Sequence, residues 1–129
     1  MIYIDTSVVL AHLLAEDRCP PGALWEETLV SSALLEYEAW ARIHARRLAK
    51  SHGEALRAVL GRVARIELVG EVLGRARERF PVEVRTLDAL HLASMRFLID
   101  QGQSVALATY DRRMLAAARR MKLEVYPLD

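Results

Sequence analysis

Short apolar segments alternate with longer helical ones along this chain, and that alternation constrains the fold more than any other feature of the sequence. The predicted strands are "MIYID", "TLVSS", "RIELVG", "SVALATY" and "LEVYPL". Helical stretches lie between them, including "TSVVLAHLLAE" after the first strand and "DRRMLAAARRM" before the last. Strands that alternate with helices form right-handed crossovers, so the sequence predicts an α/β fold with a parallel sheet that helices cover on both faces.

The helices in the middle of the chain are predicted from apolar periodicity and from helix breakers. One long helical tract covers "ALLEYEAWARIHARRLAK", residues 33–50, and after the break "SHG" a second covers "EALRAVLGRVA". "EVLGRARERF" is predicted to be helical up to Pro81, because proline cannot continue a helix. "TLDALHLASMRFLIDQ" is predicted to be capped by Thr86 and to end at Gly102.

Length and composition bound what the chain can be. A chain of 129 residues, 53% of them hydrophobic and 27% charged, suits one globular domain over residues 1–129. The formal net charge of +1 argues against a protein that coats nucleic acid with its whole surface, although it is compatible with a local basic face. Cys19 is the only cysteine, which excludes an intramolecular disulfide and a zinc site built on several cysteines.

The apolar runs are too short for a membrane protein. None approaches the ~18 residues that cross a bilayer, and Asp5 interrupts the first apolar stretch, which is unlike a signal peptide. The single cysteine also fits a reducing compartment. We therefore expect a soluble cytoplasmic protein with no membrane partner.

Acidic residues stand where the predicted strands end or where helices begin. Asp5 follows the first strand, Asp111 follows "SVALATY", and Asp88 starts a helix that leads into a strand. Glu36 and Glu38 lie in the helix after "TLVSS". Each acid alone is equally well explained as a helix cap, a charge that compensates a helix dipole, or a solvated residue. Together they are expected at one edge of a parallel sheet, where ligands bind.

A cluster of carboxylates at that edge would favour a bound cation. Neighbouring carboxylates repel each other, and without a cation some of them would have to take up a proton. Hard oxygen ligands suit Mg²⁺ or Mn²⁺, and metal ions held by carboxylates can activate water and stabilise a leaving oxygen in phosphodiester cleavage. The acids therefore indicate a metal-dependent nuclease or phosphatase, and the spacing leaves open whether they converge.

Four stretches resemble the four motif regions of PIN domains, in particular the VapC-type toxins of toxin–antitoxin pairs: "MIYIDTSVVLAHL", "LVSSALLEYEAWARI", "TLDALHLAS" and "LATYDRRMLAAA". The resemblance implies a three-layer α/β/α sandwich with a short central parallel sheet. It also implies a Mg²⁺- or Mn²⁺-dependent endoribonuclease that leaves a 5′-phosphate and a 3′-hydroxyl on its RNA products. A homodimer and an antitoxin segment bound in a groove near the site are implied as well.

The same resemblance assigns catalytic and metal-binding positions. Asp5, Asp88 and Asp111 match the acidic positions of the family directly. The fourth acid is expected six residues after a serine that follows the second strand, which selects Glu38 and leaves Glu36 as the reserve. These two glutamates are two positions apart, so they cannot share a helix face, and the other is expected to be a solvated charge.

Further residues are candidates for supporting roles around the acids. Hydroxyl groups expected to hydrogen-bond to the carboxylates belong to Thr6, Ser7 and Thr109. Candidate contacts to RNA phosphates are Arg42 and Arg46, in a basic stripe that continues to Lys50, and Arg112 and Arg113 beside the last acid. A solvated, ion-paired helix face explains these basic residues equally well. For His91, one turn after Asp88, a buried or hydrogen-bonded position is favoured over a contact to substrate.

Other functions remain as alternatives. A housekeeping RNA-processing PIN nuclease would use every residue named above, and a neighbouring antitoxin gene would separate it from a toxin. A degenerate PIN domain that only binds RNA or protein is disfavoured because all the acidic positions are filled. Phosphoaspartyl phosphatases need a second aspartate where Ser7 stands, and receiver domains need a lysine at the end of a late strand that this chain lacks.

Overall fold

A parallel sheet forms the centre of the protein, in a computed structural model that describes residues 1–15 and 17–129. Its strands are β1 (Ile2–Ile4), β2 (Leu29–Ser32), β3 (Val63–Ile66), β4 (Ala106–Ala108) and β5 (Glu124–Val125). They run parallel in the order β3-β2-β1-β4-β5. The predicted α/β class is confirmed. The chain moves outward from β1 in opposite directions on its two sides, so the β1–β4 boundary is the point where such sheets bind ligands.

Helices connect the strands and cover both faces of the sheet. Within the described residues they are α1 (Thr6–Leu13), α2 (Leu34–Ala45), α3 (Ala49–Leu60), α4 (Gly70–Ala76), α5 (Thr86–Asp100) and α6 (Arg112–Arg120), with a short 3₁₀ helix at Gly22–Glu26. The first helix was expected to continue to Glu16, a position outside the described residues. None of the described helices combines the length and apolar character needed to cross a membrane.

The long helical tract predicted for residues 33–50 is wrong. It is two helices, because α2 ends at Ala45 and α3 begins at Ala49. Arg47 makes the turn between them with a left-handed φ of 57°, which apolar periodicity does not reveal. The predicted break at "SHG" is also wrong, since those residues lie inside α3.

Three smaller boundary predictions also differ from the structure. The strand predicted as "RIELVG" starts two residues earlier, at Val63, which is the one fully buried position of this edge strand. The helix predicted up to Pro81 ends at Ala76. Thr86 is the first residue of α5 rather than its cap, and the cap position, Arg85, makes no side-chain capping bond. Edge strands and short surface helices carry few buried side chains, so their limits leave a weak sequence signal.

Two hydrophobic clusters pack on opposite faces of the sheet and fix the positions of the helices. On β1, Ile2 and Ile4 join one cluster with residues from α1, α2 and α3. Tyr3 points to the other face and packs with residues of α5 and α6, such as Leu92 and Met114. This is the alternation of a strand buried on both faces. It anchors β1 in the middle of the molecule, with Asp5 directly at its carboxyl end.

Candidate active site

A pocket lies at the carboxyl edge of the sheet, where β1 and β4 end. Residues on both sides of the sheet line it: Asp5, Thr6, Ser7 and Leu10; Arg18; Glu38, Arg42 and Arg46; Arg85, Thr86, Leu87, Asp88 and His91; Tyr110, Asp111 and Met114. The acids expected from the sequence thus come together from four separate parts of the chain. Glu36 does not line the pocket. It pairs instead with Arg65 of β3 at 2.6 Å on the surface.

Asp5 is held by two hydroxyl groups at the end of β1. Its side chain is buried, Ser7 Oγ donates to Oδ1 at 2.6 Å, and Thr109 Oγ1 donates to Oδ2 at 2.7 Å. Both hydroxyls also accept backbone N–H groups, Ser7 from Tyr110 at 3.0 Å and Thr109 from Asp111 at 2.9 Å. Each hydroxyl therefore has its proton free to point at the carboxylate. Burial raises the pKa of Asp5, and the bonds from Ser7 and Thr109 offset part of that rise.

Glu38 reaches the pocket from α2 and is fixed through a single oxygen. Thr6 Oγ1 donates to Oε1 at 2.9 Å, and His91 Nε2 lies 2.6 Å from the same oxygen. Tyr3 Oη lies 2.8 Å from Nδ1 of His91. Within the described part of the chain, Oε2 has no hydrogen-bond partner. Glu38 therefore keeps one oxygen available to a ligand in the pocket.

Asp88 and Asp111 stand at the first turns of two helices and are half-buried. Asp111 caps α6, with Oδ1 accepting the backbone N–H groups of Arg113 at 2.8 Å and Met114 at 3.2 Å. The Asp88 side chain makes no hydrogen bond to the residues that the structure describes. Burial raises its pKa, and the negative charge of Asp111 adds to that rise. These two acids are therefore oriented less tightly by side chains than Asp5 and Glu38.

The predicted basic residues divide between the pocket and the surface. Arg42 of α2 and Arg46, directly after α2, line the pocket, whereas Arg112 and Arg113 are exposed outside its lining. Lys50, expected to continue the stripe, belongs to α3 and also lies outside the lining.

Sequence reasoning missed two arginines of the pocket, Arg18 and Arg85. Arg85 stands three residues before Asp88, so a one-turn spacing could have pointed to it. Arg18 follows α1, lies 4.9 Å from the centre of the Tyr110 ring, and donates to the Tyr110 carbonyl at 3.4 Å. No pattern in the sequence marks Arg18.

His91 is buried as expected, with an exposed fraction of 2%. Its ring nevertheless connects the core residue Tyr3 to the pocket acid Glu38, a role that the sequence analysis did not assign. The spacing of three residues from Asp88 was the available signal, because it puts both side chains on one face of α5. Tyr3 carries no signal of its own, since an aromatic residue in a buried strand is ordinary core.

The donor set of the pocket suits a hard divalent cation. Carboxylate oxygens are the ligands that Mg²⁺ and Mn²⁺ prefer. Among the described residues, no three Asp, Glu, His or Cys side chains are placed to enclose one ion. Mg²⁺ does not require such an enclosure, because it usually binds one or two carboxylates directly and keeps several waters. The raised pKa values of Asp5 and Asp88 also fit, because a cation would favour their charged forms.

Fold and pocket together define a parallel α/β protein with an acidic site at the switch point of its sheet. The chain belongs to the PIN-domain family, whose model matches residues 2–120. The family expected from the sequence motifs is confirmed.

Similar proteins are found in Mycobacterium tuberculosis. Ribonuclease VapC35 is 31% identical over 130 residues, which cover 97% of this chain and 95% of that protein. Ribonuclease VapC46 is 34% identical over 132 residues, with coverage of 96% and 95%. Ribonuclease VapC47 is 30% identical over 128 residues, with coverage of 94% and 92%.

Proposed function

We propose that this protein is a metal-dependent endoribonuclease and the toxin of a toxin–antitoxin pair. The observation that carries the proposal is the meeting of acids from four separate parts of the chain in one pocket, namely Asp5, Glu38, Asp88 and Asp111. They are the acids that the resemblance to the family's motif regions selects, and the chain belongs to that family. Similarity over nearly the whole chain to proteins named ribonucleases supports the same chemistry.

The four acids are the proposed ligands of Mg²⁺ or Mn²⁺, directly or through water. When bound, such an ion supplies a water that is nucleophilic at neutral pH and neutralises charge on the phosphate. Asp5 and Glu38 hold fixed orientations through their hydrogen bonds. Asp111 keeps Oδ2 for the pocket, because the start of α6 occupies Oδ1. We assign Asp111 to complete the site or to position the attacking water.

The reaction is hydrolysis of an RNA phosphodiester. Water attacks phosphorus in line, and the bond from phosphorus to the 3′-oxygen breaks. The products carry a 5′-phosphate and a 3′-hydroxyl, and the 2′-hydroxyl takes no part. The pocket arginines Arg18, Arg42, Arg46 and Arg85 are proposed to bind the phosphates on either side of the scissile bond. We call the line of phosphates bound by these four arginines the RNA path. Arg112 and Arg113 would add positive charge beside it.

The proposal includes partners and a compartment. As a toxin of this family the protein would act on cytoplasmic RNA, form a homodimer, and be inhibited by an antitoxin segment that covers the acidic pocket. Expression in bacteria should then arrest growth, and Asp88→Asn should relieve the arrest. A housekeeping nuclease would leave growth unchanged. Growth curves of the two strains separate these outcomes.

The direct test is cleavage of a bacterial RNA pool by the purified protein. We expect cleavage with Mg²⁺ or Mn²⁺, and we expect EDTA and Asp88→Asn each to abolish it. Asp100→Asn is the matched control, because it removes the same charge from the opposite end of α5, where Asp100 pairs with Arg75 and Arg96. Cleavage that persists in both EDTA and Asp88→Asn would contradict the proposal.

A further inference from the structure

A chain of three polar side chains runs from the centre of the core into the acidic pocket. It starts at Tyr3 on β1, which is fully buried, passes through His91 on α5, and ends at Glu38 on α2. The two contacts measure 2.8 Å and 2.6 Å. Burying three polar groups in a row destabilises a protein unless each is paired. Here every link is paired, and His91 and Glu38 line the pocket while Tyr3 does not.

For a neutral His91 ring, the chemistry of the three groups fixes the direction of the hydrogen bonds. An ionised carboxylate can only accept, so Nε2 of His91 carries a proton and donates it to Oε1 of Glu38. In a neutral ring Nδ1 then has to accept, and the phenol of Tyr3 is its donor. Burial raises the pKa of Tyr3 far above its usual value, which keeps that phenol protonated. The proton positions therefore agree along the whole chain.

We infer that His91 and Tyr3 are positioning residues for Glu38, which they hold by Oε1 so that Oε2 is the oxygen offered to the pocket. Glutamate has a long, flexible side chain, and Glu38 starts from a helix whose neighbouring residues Glu36 and Tyr37 are exposed. Two donors from different elements, Thr6 and His91, meet on the same oxygen of Glu38. Tyr3 contacts Nδ1 of His91, the ring nitrogen that does not face Glu38, and so selects the tautomer of the ring.

This inference rests on the proposed function, because the position of Oε2 of Glu38 matters only if a ligand binds in the pocket. Partners that orient a ligand side chain are typically worth ~10–100-fold in metal affinity. Metal affinity is therefore the sensitive readout, and it does not depend on knowing the RNA substrate.

The test measures the Mn²⁺ dissociation constant of the full chain by calorimetry at 20 °C, with circular dichroism confirming that each variant is folded. We expect His91→Leu to weaken Mn²⁺ binding ~10–100-fold and Tyr3→Phe to weaken it several-fold. His91→Gln should recover most of the affinity, because its amide N–H can replace Nε2–H as the donor to Glu38. His44→Gln, on the exposed surface of α2, should bind like the wild type.

A second readout needs no metal. Nitrogen-15 NMR of the wild type, at a pH at which the His91 ring is neutral, should show its proton on Nε2 and none on Nδ1. Equal Mn²⁺ affinity of His91→Leu and the wild type, or a neutral ring protonated on Nδ1, would overturn the inference while leaving the proposed function intact. A wild-type protein that binds no Mn²⁺ would overturn the proposed function and, with it, the positioning role.

Discussion

The two halves of the acidic pocket are built differently. Asp5 and Glu38 are each held by two side-chain donors, and all of these donors except Ser7 come from distant parts of the chain. The side chain of Asp111 is held only by the backbone of its own helix. The side chain of Asp88 has no hydrogen bond to the described residues. The fixed half, Asp5 and Glu38, therefore depends on the assembled tertiary structure, and its carboxylates are oriented before a ligand arrives. The adjustable half, Asp88 and Asp111, depends on helix starts and can adjust to that ligand.

The largest expected effect comes from replacing Glu38, the residue of the fixed half that keeps one carboxylate oxygen available to the pocket. Glu38→Gln should lower RNA cleavage by more than ~100-fold, because it removes the charge of a proposed metal ligand and not merely an outer partner of one. Glu36→Gln is the matched control on the same helix, since Glu36 pairs with Arg65 away from the pocket. It should change the rate less than ~2-fold, as a surface substitution of this kind usually does. Single-turnover cleavage rates measure both variants, and similar losses would contradict our choice between the glutamates.

A smaller loss is expected when the support of Asp5 is removed and the acid itself is kept. Thr109→Val has nearly the same shape as the wild type but loses the donor to Oδ2 and the acceptor of the Asp111 N–H. We expect Mn²⁺ affinity and cleavage to fall ~10–100-fold. The unpaired buried N–H should also destabilise the protein by about 1–3 kcal/mol.

Two variants sharpen that experiment. Thr109→Ser restores the hydroxyl and should recover most of the activity, while Thr28→Val, on the exposed residue before β2, should leave both affinity and stability unchanged. Isothermal calorimetry gives the affinities and urea unfolding gives the stabilities. If Thr109→Val kept wild-type metal affinity, Asp5 would not need its hydroxyl donors, and the contrast between the two halves would fail.

The difference between the halves also explains what the sequence could predict. The adjustable half is local, because Asp111 follows a strand and starts a helix within a few residues, so pattern and position make it a candidate, and the structure is what brings it together with the other acids. The alternation of strands and helices predicted the parallel sheet for the same reason. Motif spacing selected Glu38 over Glu36, and the structure adds the physical reason, which is the pairing of Glu36 with Arg65 on a distant strand.

The fixed half was harder to predict because its contacts are long-range. Tyr3 and His91 are 88 residues apart in the chain, and only the packing of α5 on the face of β1 that carries Tyr3 brings them together. The turn at Arg47 was missed for a different, local reason. A single left-handed residue interrupts an otherwise helical pattern, and arginine does not favour that conformation as glycine does.

A weaker effect is expected from the arginines, which are proposed to contact substrate and not metal. Arg42→Ala and Arg46→Ala should each raise KM several-fold with little change in kcat, because phosphate contacts in this position add binding more than chemistry. Each should also reduce the dependence of log affinity on log salt by about one. Arg119→Ala, exposed on α6, is the control and should change neither quantity. Cleavage rates and RNA binding across a salt series measure both effects, and an unchanged salt slope in Arg42→Ala would remove it from the proposed RNA path.

The smallest expected effect is on the stability of the metal-free protein. Asp88 has a folded pKa above its unfolded value of ~3.9. The folded state therefore binds the proton more tightly, and the stability this gives is complete below pH ~3.9 and is lost as the pH rises through the raised pKa. At neutral pH the ionised Asp88 opposes folding, beside Asp111 and without a donor of its own.

Asp88→Asn should thus raise the melting temperature in EDTA by a few degrees at pH 7 and by little at pH 4, while adding Mn²⁺ should stabilise the wild type and not the variant. Melting curves at both pH values test this, with Asp100→Asn as the control, and a variant that melted below the wild type at pH 7 would mean that Asp88 is already satisfied without metal.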